Sequence, residues 1–230
     1  MKKPSTEETS AKTSTTNTRK TNTNKTNNRR DKIVLAATNI IATEGLTTLS
    51  VRTLATRADC SRGLVEHYFQ NKTALLVAAE EWANSRYLER VNAAVGDLAG
   101  LKALEIRLQN LIPYEKTVLD EWKIRVAFWH QGISMPLMEE SNNRSFYAVY
   151  NPILEDVRRA HTLGEVDKSI PIVETAEMLL FMIIGLCTSC INDVTLRQKQ
   201  PLDRRVKMML GFLKTGKAAA FAVGDPAVDY

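Results

Sequence analysis

Arg52, Ser61, Arg62, Gly63, His67 and Lys72 fall within 21 consecutive residues, and together they carry the groups that hold phosphate and read base edges. A guanidinium such as that of Arg52 can make a paired hydrogen bond to guanine in a major groove. Gly63 has no side chain to keep a backbone away from a base or phosphate. His67 falls on the outward side of its segment. Lys72 stands at the start of a helix, where its charge adds to free backbone donors, a natural phosphate clamp. Ser50 and Ser61 could donate to phosphates, but first of all they are suited to cap helices. Tyr68 joins the candidate surface, although an aromatic pair such as Tyr68 and Phe69 also suits a small core.

A second concentration lies further on. Tyr114, Trp122, Phe128, Trp129, Phe146, Tyr147 and Tyr150 place 7 of the 15 aromatic residues within 37 positions. Trp122, Val126, Trp129 and Ile133 follow one helical stripe, which suits core packing. The same residues could line a ligand cavity between helices. Cys187 and Cys190 form a C-x-x-C, but with no second pair and no neighbouring His they suit small core residues better than metal or redox chemistry. His130 and His161 stand alone. A Walker-type glycine loop, Gly-x-Ser-x-Gly and His-Glu-x-x-His are absent, so the sequence points away from an enzyme and calls for no cofactor or metal.

The elements that must position these groups are helical. Ile33, Ala36, Ala37, Ile40 and Ile41 share one face of a helix that Gly45 should end. Ser50 opens a second helix with Val51, Leu54, Ala55 and Ala58 on its inner face. Asp59 and Cys60 make a turn, and Ser61 opens a third helix. Asn71 or Thr73 begins a fourth, with Leu76, Ala79, Trp82, Ala83, Tyr87 and Val91 on one stripe. Further helices are expected near 101–112, 115–134, 137–161, 169–195 and 202–214, with Pro152 either kinking or beginning one. No stretch alternates as a strand, so the fold class is all-α. The uncharged run Met178–Ile191 is shorter than the roughly 20 residues that cross a bilayer, so no membrane partner is expected. A helix apolar on nearly all sides suits burial against both its own domain and a second subunit.

Residues 1–72 hold 13 Lys and Arg against 6 Asp and Glu, a net of +7 against +5 for all 230 residues, so the basic excess is confined to the first third. That distribution suits a polyanion held by the N-terminal part. Residues 1–28, rich in Thr, Asn and Lys, bury too little to offset their ordering entropy and read as a disordered basic tail. The expected division is a helix-turn-helix domain over 29–75, a larger helical domain over 76–216 and a tail over 217–230. Three cysteines and an N-terminus without an apolar run fit a cytoplasmic setting.

The segment from Arg30 to Leu76 resembles the TetR family of bacterial transcriptional regulators. Leu49-Ser50-Val51-Arg52-Thr53-Leu54-Ala55-Thr56-Arg57-Ala58-Asp59-Cys60-Ser61-Arg62-Gly63 is similar to that family's second helix, turn and start of recognition helix. His67-Tyr68-Phe69 and Asn71-Lys72 look like its closing aromatic motif and phosphate-binding lysine. Asp59 replaces the usual turn glycine, and Glu66 stands where an aromatic residue commonly meets phosphate. Glu121–Trp129 also resembles the choline-responsive BetI branch. The resemblance implies a homodimeric repressor that reads a palindromic, double-stranded operator and is released by a small-molecule effector bound in the second domain. An enzyme, or a helical carrier that keeps the small domain unused, would not show salt-dependent binding to DNA.

Overall fold

The structure is a computed structural model that describes residues 13–132 and 139–214, with side chains from residue 28 onward. Among the described residues the chain forms nine α-helices, two short 3-10 turns and no strand. They are α1 (Thr13–Glu44), α2 (Val51–Arg57), α3 (Arg62–Tyr68), α4 (Lys72–Val95), α5 (Gly100–Leu111), α6 (Lys116–Gly132), α7 (Glu139–Thr162), α8 (Ile172–Asn192) and α9 (Lys199–Lys214).

The helix ends follow local chemistry. Gly45, at φ 85°, stops α1 in a conformation that side-chain-bearing residues avoid. Backbone is helical from Thr13, whereas the sequence favours an unstructured segment up to residue 28. Neither Pro nor Gly interrupts residues 13–44, so nothing local stops a helix whose packed stripe begins only at Ile33. Pro152 lies inside α7 rather than at its start. Glu139 and Glu140 in the first turn of α7, and Arg159 and His161 in its last, complement the helix dipole. The C-terminal tail, Ile133 of the aromatic stripe and Pro136 lie outside the described residues.

Two hydrophobic clusters share the chain. The first joins α1, α2, α3 and the first half of α4 through Ile33, Ala37, Ile40, Leu54, Val65, Phe69, Leu76 and Ala79. The second joins the rest of α4 to α5, α7, α8 and α9 through Tyr87, Val91, Leu104, Leu108, Ile153, Leu179 and Val206. The clusters meet within α4, between Ala83 and Tyr87, so this helix of 24 residues belongs to both. At about 1.5 Å per residue it is a strut about 36 Å long.

α8 is 21 residues long and apolar enough to cross a membrane by length and composition, more than its uncharged run alone suggested. Its inner side is nevertheless committed to protein: Thr175, Ala176, Leu179, Leu180, Ile183, Cys187 and Cys190 are buried. Val173 and Phe181 stand out on the opposite side, Phe181 at 59% exposure.

Candidate nucleic-acid interface and ligand cavity

Three side-chain caps shape the N-terminal unit. Ser50 Oγ accepts the Thr53 amide at 3.1 Å, Ser61 Oγ the Leu64 amide at 3.2 Å, and Asn71 Oδ1 the Ala74 amide at 2.8 Å. Each is worth about 1 kcal/mol and fixes where α2, α3 or α4 begins. Between α2 and α3, Asp59 takes φ 51°, left-handed backbone that Asp tolerates better than most residues. The Cys60 amide then reaches back to the Ala55 carbonyl at 3.0 Å and closes the turn. The replacement of glycine by Asp59 therefore leaves the turn intact. Arg57, an ordinary surface charge by sequence, ties the end of α2 to Glu44 at 2.6 Å.

Leu54, Ala55, Val65 and Phe69 point into the core, which turns Arg52, Arg62, Gly63, Glu66 and His67 to solvent. Val51, expected on the inner face, is 39% exposed. A Cβ built on Gly63 would meet no atom within 4 Å, so nothing inside the chain demands glycine there. An external partner pressed against that face would. Tyr68 is half-buried, its ring edge-on to His67 at 5.3 Å. Lys72 is exposed at the N-terminus of α4, and its ammonium donates to the Leu46 carbonyl at 3.3 Å, bracing the turn after α1. One contact had no sequence signal: Arg30 lies over the Phe69 ring at 5.4 Å and holds α1 against the end of α3.

The aromatic residues divide. Trp122, Trp129 and Phe146 line a cavity between α6, α7 and α8, together with Arg125, Ser145, Val149, Leu180 and Ile183. The cavity is nearly filled by its own side chains: a water-sized sphere can be centred in only about 20 Å³ of it. Tyr150 is buried and stacks on Phe146 at 5.9 Å. Tyr147 is 52% exposed, its ring edge-on to Phe146 at 5.4 Å and to Tyr150 at 6.2 Å. Tyr114 sits elsewhere, bonded to Asp203 on α9 at 2.5 Å with Lys199 over its ring. Burial and the Asp203 bond both push its hydroxyl pKa up. Phe128 packs in the N-terminal cluster with Ile124, because it lies on the side of α6 that meets α1.

Sequence reasoning passed over the polar groups among these aromatics. Arg125 is 6% exposed, with Tyr87 and Trp122 rings 5.6 and 5.1 Å from its guanidinium carbon. Glu80, on α4, is 2% exposed, and its Oε2 has no hydrogen-bond partner among the described residues. Burial raises the Glu80 carboxyl pKa, outweighing the opposing pull of Ser145 and Arg125. A signal for Arg125 existed: it falls three residues after Trp122 and four before Trp129, on their side of the helix. Elsewhere buried Arg107 pairs with Asp156 at 2.6 Å, and half-buried Arg90 pairs with Glu121 at 2.6 and 2.8 Å. Cys187 and Cys190 are buried and free, and burial pushes the Cys187 thiol far above its usual range, away from nucleophilic chemistry. Among the described residues no three His, Cys, Asp or Glu come together as metal ligands.

Two elements cross from one cluster to the other. α4 does so along its length, and α6 does so across its width: Ile124 and Phe128 face α1 while Trp122 and Trp129 face the cavity. Lys123 adds a bond from α6 to the Ala42 carbonyl of α1 at 3.2 Å.

A helix-turn-helix with an exposed basic face, carried by a larger helical domain, is an arrangement suited to DNA. Residues 33–79 match the family model for bacterial regulatory proteins of the tetR family, so the N-terminal unit is similar to the DNA-binding domain of that family. The whole fold is similar to a transcriptional regulator from Rhodococcus sp. Rha1, with 21% identity, a TM-score of 0.71, and coverage of 81% of this chain and 96% of that one. It is also similar to a structure from Saccharomonospora viridis, named as a transcriptional regulator in complex with choline, at 20% identity, TM-score 0.71 and coverage of 80% and 94%. The regulator FadR from Bacillus subtilis, in complex with stearoyl-CoA, is similar at 18% identity, TM-score 0.65 and coverage of 80% and 97%. At these identities the likeness concerns the fold. Choline and stearoyl-CoA differ too much to select the choline-responsive branch for this chain.

Proposed function

We propose that this chain is a homodimeric, ligand-responsive repressor that binds a palindromic operator and is released by a small-molecule effector. The observation that carries it is the exposed face of Arg52, Arg62, Gly63 and His67, with Lys72 at the N-terminus of α4. Arg52 and the first residues of α3 meet base edges, and Ser50, Ser61, Tyr68 and Lys72 hold phosphates. Glu66 on the same face repels phosphate and suits a cytosine amino group instead.

A palindrome requires two copies whose recognition helices enter successive major grooves about 34 to 36 Å apart. The exposed Val173 and Phe181 of α8 and Met208 of α9 supply an apolar face for a second copy of the chain. Effector in the cavity shifts α6 and α4 and changes that spacing. Ligand-bound neighbours of the same fold support an effector site in the helical domain.

Selection of a preferred operator from random DNA, followed by titration with Arg52→Ala and Lys72→Ala, tests the surface. Arg52→Ala weakens binding about 5- to 150-fold for each half-site, from the roughly 1–3 kcal/mol of a paired base contact. Lys72→Ala weakens binding to all sequences and lowers the salt slope by about 1 per protomer. Both variants remain dimeric. If both bind the selected operator like the parent, the proposed surface is wrong.

A further inference from the structure

Arg125 is a buried cation in want of a counter-charge. Among the described residues no carboxylate lies within 4.0 Å of its guanidinium, in contrast to Arg90 and Arg107, which each hold one. Its ring neighbours are two aromatic faces, which attract a cation but neutralise none of its charge, and the Glu80 carboxyl group acts on it only from beyond ion-pair distance. Burying a charge without a close partner is costly, so an anion that entered beside Arg125 would gain what the fold leaves unsatisfied. Arg125 also faces the cavity, and Ser145, whose hydroxyl bonds Glu80, lines the same wall.

Accepting the cavity as the effector site, we infer that its ligand is an amphipathic organic anion: a carboxylate on Arg125 and Ser145, with an apolar body among Trp122, Trp129, Phe146 and Ile183. The opposite charge fits less well. No carboxyl group is among the described residues that face the cavity. Because the space is narrow, such a ligand enters by turning aside Trp129 and Phe146, both only half-buried.

Octanoate, octanol and octyltrimethylammonium share a chain and differ in head-group charge. Each is titrated into the full-length protein below its micelle-forming concentration and followed by calorimetry and by tryptophan fluorescence. Octanoate is expected to bind saturably and at least about 10-fold more tightly than either of the others. Arg125→Gln should cost octanoate about 10- to 100-fold, the worth of a hydrogen-bonded charge, and leave octanol unchanged. Arg125→Lys, which keeps the charge but not the planar fork, should fall between them. If Arg125→Gln fails to fold, the comparison of the three head groups in the parent protein still decides. Tighter binding of octyltrimethylammonium or octanol overturns the anion and leaves the cavity as an effector site. Binding of none of the three overturns the cavity as well, while operator selection judges the DNA-binding reading separately.

Discussion

Phe128 and Trp129 are adjacent in sequence and belong to different parts of the molecule, so truncating each in turn tests whether α6 joins the two. Phe128 is 3% exposed and packs with Ile124 against the N-terminal cluster. Emptying such a site costs about 3–5 kcal/mol, transfer and cavity together. For a chain of this size each kcal/mol lowers the melting temperature by about 2 °C, so Phe128→Ala should melt roughly 6–10 °C below the parent. Trp129 is half-buried at the cavity wall, and Trp129→Ala should cost less than half as much. Melting is followed by circular dichroism at one fixed protein concentration, because a dimer's stability depends on it. Operator affinity is then measured at 25 °C, where both variants are folded. Phe128→Ala should weaken operator binding although it lies away from the recognition face, since it pins α6 to α1. Trp129→Ala should leave the affinity of the ligand-free protein unchanged and alter only the response to effector. If instead Phe128→Ala melts within about 2 °C of the parent and binds operator normally, α6 does not anchor the DNA-binding domain.

Glu80→Gln tests the buried carboxyl group. Its folded pKa is raised, so the native state holds the proton more tightly than the unfolded chain does. Stability from this group is therefore present in acid and is lost as pH rises through the ordinary carboxylate range to the raised value. Ser145, Arg125 and Arg144 oppose the shift and Glu81 adds to it, but burial dominates. Glu80→Gln should thus melt above the parent at neutral pH, with the gap closing in acid; a gap that widens in acid would reverse the argument. At the turn, Asp59→Val should be about 1–2 kcal/mol less stable than Asp59→Gly by chemical denaturation, because a β-branched residue resists left-handed backbone; equal stabilities would show that the turn relaxes. Ser61→Ala removes the cap of α3 and should cost about 1 kcal/mol, with a parallel loss of operator affinity as the helix frays. A variant that loses affinity with no loss of stability would make Ser61 a phosphate ligand first.

The fold was legible wherever local chemistry decides it. Ser50, Ser61 and Asn71 announce three helix starts, Gly45 an end, and the stripe from Ile33 to Ile41 a buried face, because caps and periodicity act within a few residues. The left-handed Asp59 was readable too, since few residues other than glycine accept that backbone. What sequence could not supply is which side of a helix meets which neighbour. Val51 lies on the inner stripe of α2 by spacing, yet it is exposed in the folded chain. Phe128 looks like its aromatic neighbours, but one step along α6 is about 100° of rotation, enough to carry it from the cavity to the other cluster. Tyr114 and Tyr147 were grouped with the cavity by nearness in sequence, and the folded chain separates them. The burial of Arg125 and Glu80 depends in the same way on how α4, α6 and α7 close around them.

The narrowness of the cavity bears on how an effector could work. Reversing a 99:1 preference for the operator-binding state takes about 5.5 kcal/mol of differential binding, or roughly 2.7 kcal/mol from each site of a dimer. At about 0.8 kcal/mol for each buried methylene, three or four methylenes that find room only in the opened cavity would supply it. A ligand that fitted the closed cavity equally well would bind tightly and change nothing. The closed cavity, which scarcely admits a water molecule, excludes that case: whatever enters must displace Trp129 or Phe146. Trp129 lies on α6 beside Phe128, so displacement on one face is transmitted to α1 on the other. Arg125 then decides which molecules enter, and the apolar length decides how far the equilibrium moves. Lengthening a carboxylate beyond about four methylenes should therefore increase operator release steadily until the cavity is full, whereas changing its head group should raise the concentration needed for release about 10-fold or more at every length.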